Sequence, residues 1–149
     1  MLERNVIQSV GFRNTKCDGR IDGFQFKVRL PYYRGVYLCQ LRLGDLYIDE
    51  KRIDPNAITW CVDGCEYTAE QMRQNCEVNW AVTEPATVKV QYDGGLPQGF
   101  HDIKYGFCFS SSYMPPMMQS EEALDPNKES MIFLPEFGKH VNERRLLIV

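Results

Sequence analysis

A period of two constrains this chain more than any other feature. Phe24, Phe26, Val28 and Leu30 alternate with Gln25, Lys27 and Arg29, and Ile103, Tyr105, Phe107 and Phe109 alternate with Lys104, Gly106 and Cys108. Val88 and Val90 alternate in the same way with Lys89 and Gln91. Successive side chains of an extended strand point to opposite faces, so each run predicts a half-buried strand. The segment Asp93-Gly94-Gly95-Leu96-Pro97-Gln98-Gly99 is rich in turn residues and predicts a connector that joins two strands antiparallel. Shorter strands are expected at residues 6–13, 36–43, 46–48, 58–62 and 78–82. Helical signals are confined to one place: Thr68 with Gln71 three residues on predicts a capping box, opening about two turns through Asn75. So few helices cannot supply the crossovers of a parallel sheet. The expected fold is all-β: an antiparallel β-sandwich, or a flattened barrel, with one short helix and a long loop near 114–131.

The 149 residues fit one domain spanning 1–149, and their 44% hydrophobic content is enough for a core without covalent staples. A net charge of −3, with basic residues scattered apart from Arg144-Arg145, offers no clustered basic face, so no nucleic acid partner is expected. No stretch approaches the ~20 apolar residues that span a bilayer, and no membrane partner is expected. The opening MLERNVIQSV carries Glu3 and Arg4 and lacks a signal-peptide pattern, which predicts a cytoplasmic protein. In that reducing compartment all six cysteines (Cys17, Cys39, Cys61, Cys65, Cys76, Cys108) are expected to be free thiols. Cys61-Val62-Asp63-Gly64-Cys65 could offer two thiolates to a metal, but a structural zinc site wants a second close pair, and none follows. The bland reading is preferred, in which two thiols flank a hairpin turn and face each other.

Catalytic signals are sparse. His101 and His140 are far apart in sequence, no nucleophile-elbow motif is present, and no helix start follows Gly94, Gly95 and Gly99 to make a phosphate cradle. His101 beside Asp102 is read as a structural or surface histidine rather than a general base. No catalytic residue, no metal ligand and no cofactor is therefore expected in this chain. Two segments stand out instead. Tyr32, Tyr33 and Arg34 follow Pro31 between two strands, and Tyr113, Met114, Met117 and Met118 flank Pro115 and Pro116. Tyrosine and arginine anchor interfaces, and methionine adapts to irregular surfaces. Either these side chains cap the ends of the sandwich or they form a partner surface; together they favour the second. The terminal Leu146-Leu147-Ile148-Val149 either adds a closing strand or docks on another subunit.

These segments also carry a likeness. Val6-Ile7-Gln8-Ser9 and Gly23-Phe24-Gln25-Phe26-Lys27-Val28-Arg29-Leu30-Pro31-Tyr32-Tyr33-Arg34-Gly35 resemble the small β subunit of bacterial C-glycoside deglycosidases. Glu84-Pro85-Ala86-Thr87-Val88, Asp93-Gly94-Gly95-Leu96 and Ser112-Tyr113-Met114-Pro115 are further matches. The resemblance runs to about residue 118, and Leu30 to Gly35 is its most specific stretch.

What the resemblance implies is a heteromeric enzyme. Its α subunit is a sugar isomerase or epimerase-like barrel that carries a divalent metal, with manganese the expected ion. The small subunit is sandwich-like and non-catalytic, with Tyr32, Tyr33, Arg34, Tyr113, Met114, Met117 and Met118 expected near the partner and the 3-oxo-C-glycoside. A carbon–carbon glycosidic bond cannot be cleaved by protonating an oxygen, as paired carboxylates do in ordinary glycosidases. Oxidation at C3 of the sugar instead acidifies the C2 hydrogen. Its removal gives an enolate that a metal can stabilise, and the aryl group at C1 leaves as it gains a proton. The alternative, in a different class, is a free-standing carbohydrate-binding or protein-interaction sandwich, in which Tyr32, Tyr33 and Tyr113 stack on sugar faces.

Overall fold

The computed structural model describes residues 3–110, 125–127 and 140–149. The described strands are β1 (Arg13–Cys17), β2 (Arg20–Val28), β3 (Val36–Tyr37), β4 (Leu41–Ile48), β5 (Lys51–Arg52) and β6 (Ile58–Val62). They continue with β7 (Cys65–Tyr67), β8 (Asn79–Trp80), β9 (Ala86–Gln91), β10 (Gly99–Phe109) and β11 (Val141–Ile148). A helix α1 (Ala69–Gln74) lies between β7 and β8. One sheet runs β1-β2-β9-β6-β7, a second runs β11-β10-β4-β5, and β3 pairs with β8 in a short ribbon. Neither large sheet closes on itself, so the fold is an open antiparallel sandwich rather than a flattened barrel.

Hydrophobic alternation builds the core between the sheets. Phe24, Phe26 and Val28 of β2, Trp60 of β6, Val88 and Val90 of β9, and Ile103 and Tyr105 of β10 are all at most 2% exposed. Across the gap the Trp60 indole N–H donates to the Tyr105 hydroxyl at 3.0 Å, and the Phe26 and Tyr105 rings meet edge to face with centroids 6.0 Å apart. A polar bridge at the centre of an aromatic core satisfies both groups and fixes the facing of the sheets.

Several expected elements differ in detail. Residues 6–13 do not form one strand: Ile7 bridges to Val28, the chain bends at Gly11, and β1 begins only at Arg13. The run 36–43 is broken by a 3₁₀ turn at Leu38–Gln40, after which β4 absorbs the strand expected at 46–48. At 78–82 only Asn79 and Trp80 pair. The segment 93–99 does not make a hairpin. It leaves β9 in one sheet and enters β10 in the other, because both strands can then turn their apolar faces to one core. Asn14 holds this crossing by bonding both the N–H and the carbonyl of Leu96, each at 2.8 Å.

The helix starts as its capping box predicts, with Gln71 N–H donating to Thr68 Oγ1 and Thr68 N–H to Gln71 Oε1. The long connection near 114–131 lies outside the described residues except for Asp125–Asn127, which packs on the outer face of β4 and β10. There β4 bulges, so that Gly44 and Asp45 stand against Gly106 alone. A Cβ on Gly106 would lie 2.1 Å from the Pro126 carbonyl oxygen, so only glycine admits this turn. Of the terminal residues, Leu146, Leu147 and Ile148 complete the edge strand β11: Leu146 and Ile148 are buried, while Leu147 points outward and Val149 lies beyond the strand. No helix among the described residues is long and apolar enough to cross a membrane.

One expectation about the cysteines is overturned. Cys39 and Cys76 form a disulfide, in which Cys17, Cys61, Cys65 and Cys108 take no part. The bridged pair is 37 residues apart in sequence, and no local pattern shows that they meet. The fold brings them together through backbone bonds from Leu38 N–H to Val78 O and from Cys39 N–H to Asn75 O. The Cys61 and Cys65 thiols do not face each other, because β6 and β7 pair Val62 with Cys65 and Cys61 with Glu66.

Candidate functional site

The proline-led connection between β2 and β3 is built on the core rather than laid over it. Pro31 is buried, and the half-buried Tyr32 packs against the core cluster. Its ring lies 4.7 Å from that of Phe109, at the end of β10, and 4.5 Å from that of Tyr33. Tyr33 is 61% exposed. The Arg34 guanidinium sits over the Tyr33 face, 5.8 Å from its centroid. Gly35 then passes so close to β8 that a Cβ would lie 2.2 Å from Asn79 Oδ1 and 2.8 Å from the Trp80 carbonyl oxygen. Beyond it, Val36 pairs with Trp80 and enters the core.

The second predicted segment starts beside this connection. Gln40 Nε2 donates to the Ser110 carbonyl at 2.8 Å, and Ser110 N–H donates to the Gln40 carbonyl at 2.8 Å. Gln40 Oε1 also accepts from Tyr37 N–H at 2.8 Å, so one side chain ties both connections. The root of the second segment therefore stands next to Tyr32. Tyr113, Met114, Met117 and Met118 themselves lie outside the described residues. Phe109, Tyr37 and Gln40 were not picked out from the sequence. The pattern puts Phe109 on the buried face of β10, but its place under Tyr32 follows only from the sheets' arrangement.

This surface can hold a planar ring by stacking, offer a fixed cation and donate hydrogen bonds. Among the described residues, the titratable groups with clearly shifted behaviour lie elsewhere. His101 is 6% exposed, with Nδ1 at 2.6 Å from Asp49 Oδ2 and Nε2 at 2.7 Å from the Pro97 carbonyl. Burial pulls its pKa down, but the bonds to Asp49 and Pro97 outweigh it and hold the pKa above the usual histidine value. With an acceptor on each ring nitrogen, His101 clamps the β4–β5 turn to the entrance of β10. Burial pushes the Cys108 thiol up to about 12 and raises the Tyr105 phenol as well, so neither ionises readily. Among the described residues no group of three or more His, Cys, Asp or Glu side chains converges to hold a metal ion.

Known proteins resemble this chain over most of its length. The family model described as C-glycoside deglycosidase beta subunit matches residues 2–113. A protein of Eubacterium cellulosolvens named C-glycoside deglycosidase beta subunit is 60% identical over 149 residues, covering 99% of this chain and 100% of that protein. A protein of the same name from Microbacterium trichothecenolyticum is 30% identical over 67 residues, 45% of this chain and 51% of its own length. A 3'-dehydrocarminate deglycosidase beta subunit from a Microbacterium species is 25% identical over 93 residues, 62% of this chain and 70% of its own. Near-complete coverage at the first of these identities, together with the family match across the sandwich, places this chain in the C-glycoside deglycosidase beta subunit family.

Proposed function

We propose that the chain is the non-catalytic β subunit of a cytoplasmic, heteromeric C-glycoside deglycosidase. In this reading the complex cleaves the carbon–carbon bond between a 3-oxo sugar and an aromatic, flavonoid-type aglycone, a lyase reaction. The α subunit, a sugar isomerase-like barrel, carries the divalent metal, with manganese the expected ion, and the base. The β subunit presents Tyr32, Tyr33 and Arg34, with Tyr113, Met114, Met117 and Met118, near the mouth of that barrel and the aglycone. The observation that carries the reading is the Tyr33–Arg34 pair, held outward over a footing of half-buried Tyr32 and buried Phe109. An exposed aromatic ring and a guanidinium on a rigid base form the kind of anchor on which partner binding concentrates.

The test separates assembly from folding. Tyr33→Ala and Arg34→Ala should weaken binding to the α subunit or lower turnover by about 30-fold, the equivalent of ~2 kcal/mol for an anchor residue. The same variants should leave the unfolding of the isolated chain nearly unchanged, within roughly 0.5 kcal/mol, because both side chains are exposed. Variants that unfold the chain while the folded fraction assembles normally would assign the residues to the core. The isolated chain should bind no stoichiometric manganese and turn over no 3-oxo-C-glycoside. Tight binding of glycosides by the chain alone would favour the free-standing binding module instead.

A further inference from the structure

The Cys39–Cys76 bond lies where several weak pieces of structure meet. Helix α1 has six residues and buries only Met72. A helix that short does not hold itself in water. β3 and β8 share two residue pairs, Val36↔Trp80 and Tyr37↔Asn79, and Leu38–Gln40 is a single 3₁₀ turn. Two backbone bonds cross between these pieces, Leu38 N–H to Val78 O at 3.1 Å and Cys39 N–H to Asn75 O at 2.8 Å. The disulfide is the covalent tie across the group. By contrast, β10 and β11 pair over eight residues, and β2 and β9 over six, with no part in the bond.

The same turn reaches the candidate partner surface on both sides. It follows directly on Tyr37, and Gln40, next to Cys39, holds both Tyr37 and Ser110. Loss of the tie therefore loosens the less buried parts of this group, among them the Gln40 ties to both connections, while Val36, Leu38, Met72 and Trp80 stay seated in the core and the sandwich persists. Cys76 is exposed and Cys39 half-buried, so the Cys76 side of the bond is the more open to an attacking thiolate.

We propose that Cys39–Cys76 is a redox latch: oxidised, it holds the Leu38–Gln40 turn and the partner surface in place, and reduction by a dithiol releases both and weakens assembly. In the reaction a thiolate of the reductant attacks Cys76 Sγ, breaking the S–S bond and releasing Cys39 as a thiolate. The second thiol of the reductant then displaces Cys76. Two electrons pass to the cysteine pair, the reductant leaves as its own disulfide, and its two thiol protons end on Cys39 and Cys76. That the released surface binds the α subunit rests on the function proposed above; the latch itself does not.

Hydrogen exchange read by mass spectrometry on the full chain tests the latch without any partner. Reduction with dithiothreitol should speed exchange at least tenfold in residues 36–40 and 69–79, leave β2, β9 and β10 the most protected segments, and reverse on reoxidation. A Cys39→Ser/Cys76→Ser variant should match the reduced wild type. Should that variant fail to fold, the reduced and reoxidised wild type still gives the comparison. Equal exchange in the two states, or exchange in β2, β9 and β10 as fast as in residues 36–40 and 69–79, would overturn the latch. Titration of the α subunit against oxidised and reduced chain should then show at least tenfold weaker binding on reduction. Faster exchange with unchanged affinity would overturn the link to assembly, while the Tyr33 and Arg34 variants decide separately whether the surface binds the partner.

Discussion

The central bridge between Trp60 and Tyr105 gives the sharpest test of how the sandwich is held. Trp60 is 0% and Tyr105 1% exposed, and the indole N–H reaches the phenol oxygen at 3.0 Å. Trp80 and Phe107 close around the indole with ring centroids 5.4 and 5.5 Å away, leaving it among aromatic faces. Tyr105→Phe keeps the ring and its packing and removes only the oxygen. The indole N–H is then buried without an acceptor, which costs about 1–3 kcal/mol. In a domain of this size each kcal/mol moves the melting temperature by about 2–4 °C, so a loss near ~2 kcal/mol lowers it by roughly 4–8 °C. Urea unfolding followed by far-ultraviolet circular dichroism, with the disulfide intact, would measure the change at constant m-value. Trp60→Phe is destabilising by itself, because it also removes ring volume. In that background Tyr105→Phe should cost little, since no donor remains to be stranded, and the cycle should show a coupling of at least about 1 kcal/mol. Additive losses, or a Tyr105→Phe midpoint equal to wild type, would refute the view that this bond joins the sheets.

Other consequences follow from the polar clamps and close contacts. The His101 pKa is held above its unfolded value, so this bond's contribution is complete below about pH 6.5 and is lost as the pH rises through the folded pKa. Thermal melts from pH 6 to pH 9 should therefore fall more steeply for wild type than for His101→Gln, and parallel curves would remove His101 from the pH dependence. Asp49, whose pKa is lowered in the folded protein, adds a loss on the acid side as the pH falls through that value. Gly106→Ala drives a methyl group into the Pro126 carbonyl and should destabilise by about 1–3 kcal/mol in urea titrations, as overpacking does. The Cys39→Ser/Cys76→Ser variant loses a crosslink between residues 37 apart, which in the chain-entropy account amounts to about 4 kcal/mol of global stability. A urea midpoint within error of wild type would show that the bond acts on local opening alone.

Local patterns were legible wherever a short-range rule applies. The alternation of Phe24, Phe26 and Val28, and of Ile103 and Tyr105, names the buried face because side-chain direction has a period of two in any strand. Thr68 and Gln71 locate the helix start because a capping box closes within four residues. Tyr32, Tyr33 and Arg34 stood out by composition, and a proline-led connection does place Tyr33 and Arg34 on the surface. Which elements meet was decided only in three dimensions. Strand propensity says nothing about which sheet a strand joins, so the turn-rich 93–99 run predicts a connector between antiparallel strands, while only the fold puts β9 and β10 in opposite sheets. The bulge opposite Gly106, the Tyr32–Phe109 footing and the Cys39–Cys76 bond each depend on residues brought together from distant parts of the chain. Such contacts are selected by the burial and register of the whole sandwich, and no window of neighbouring residues contains that information.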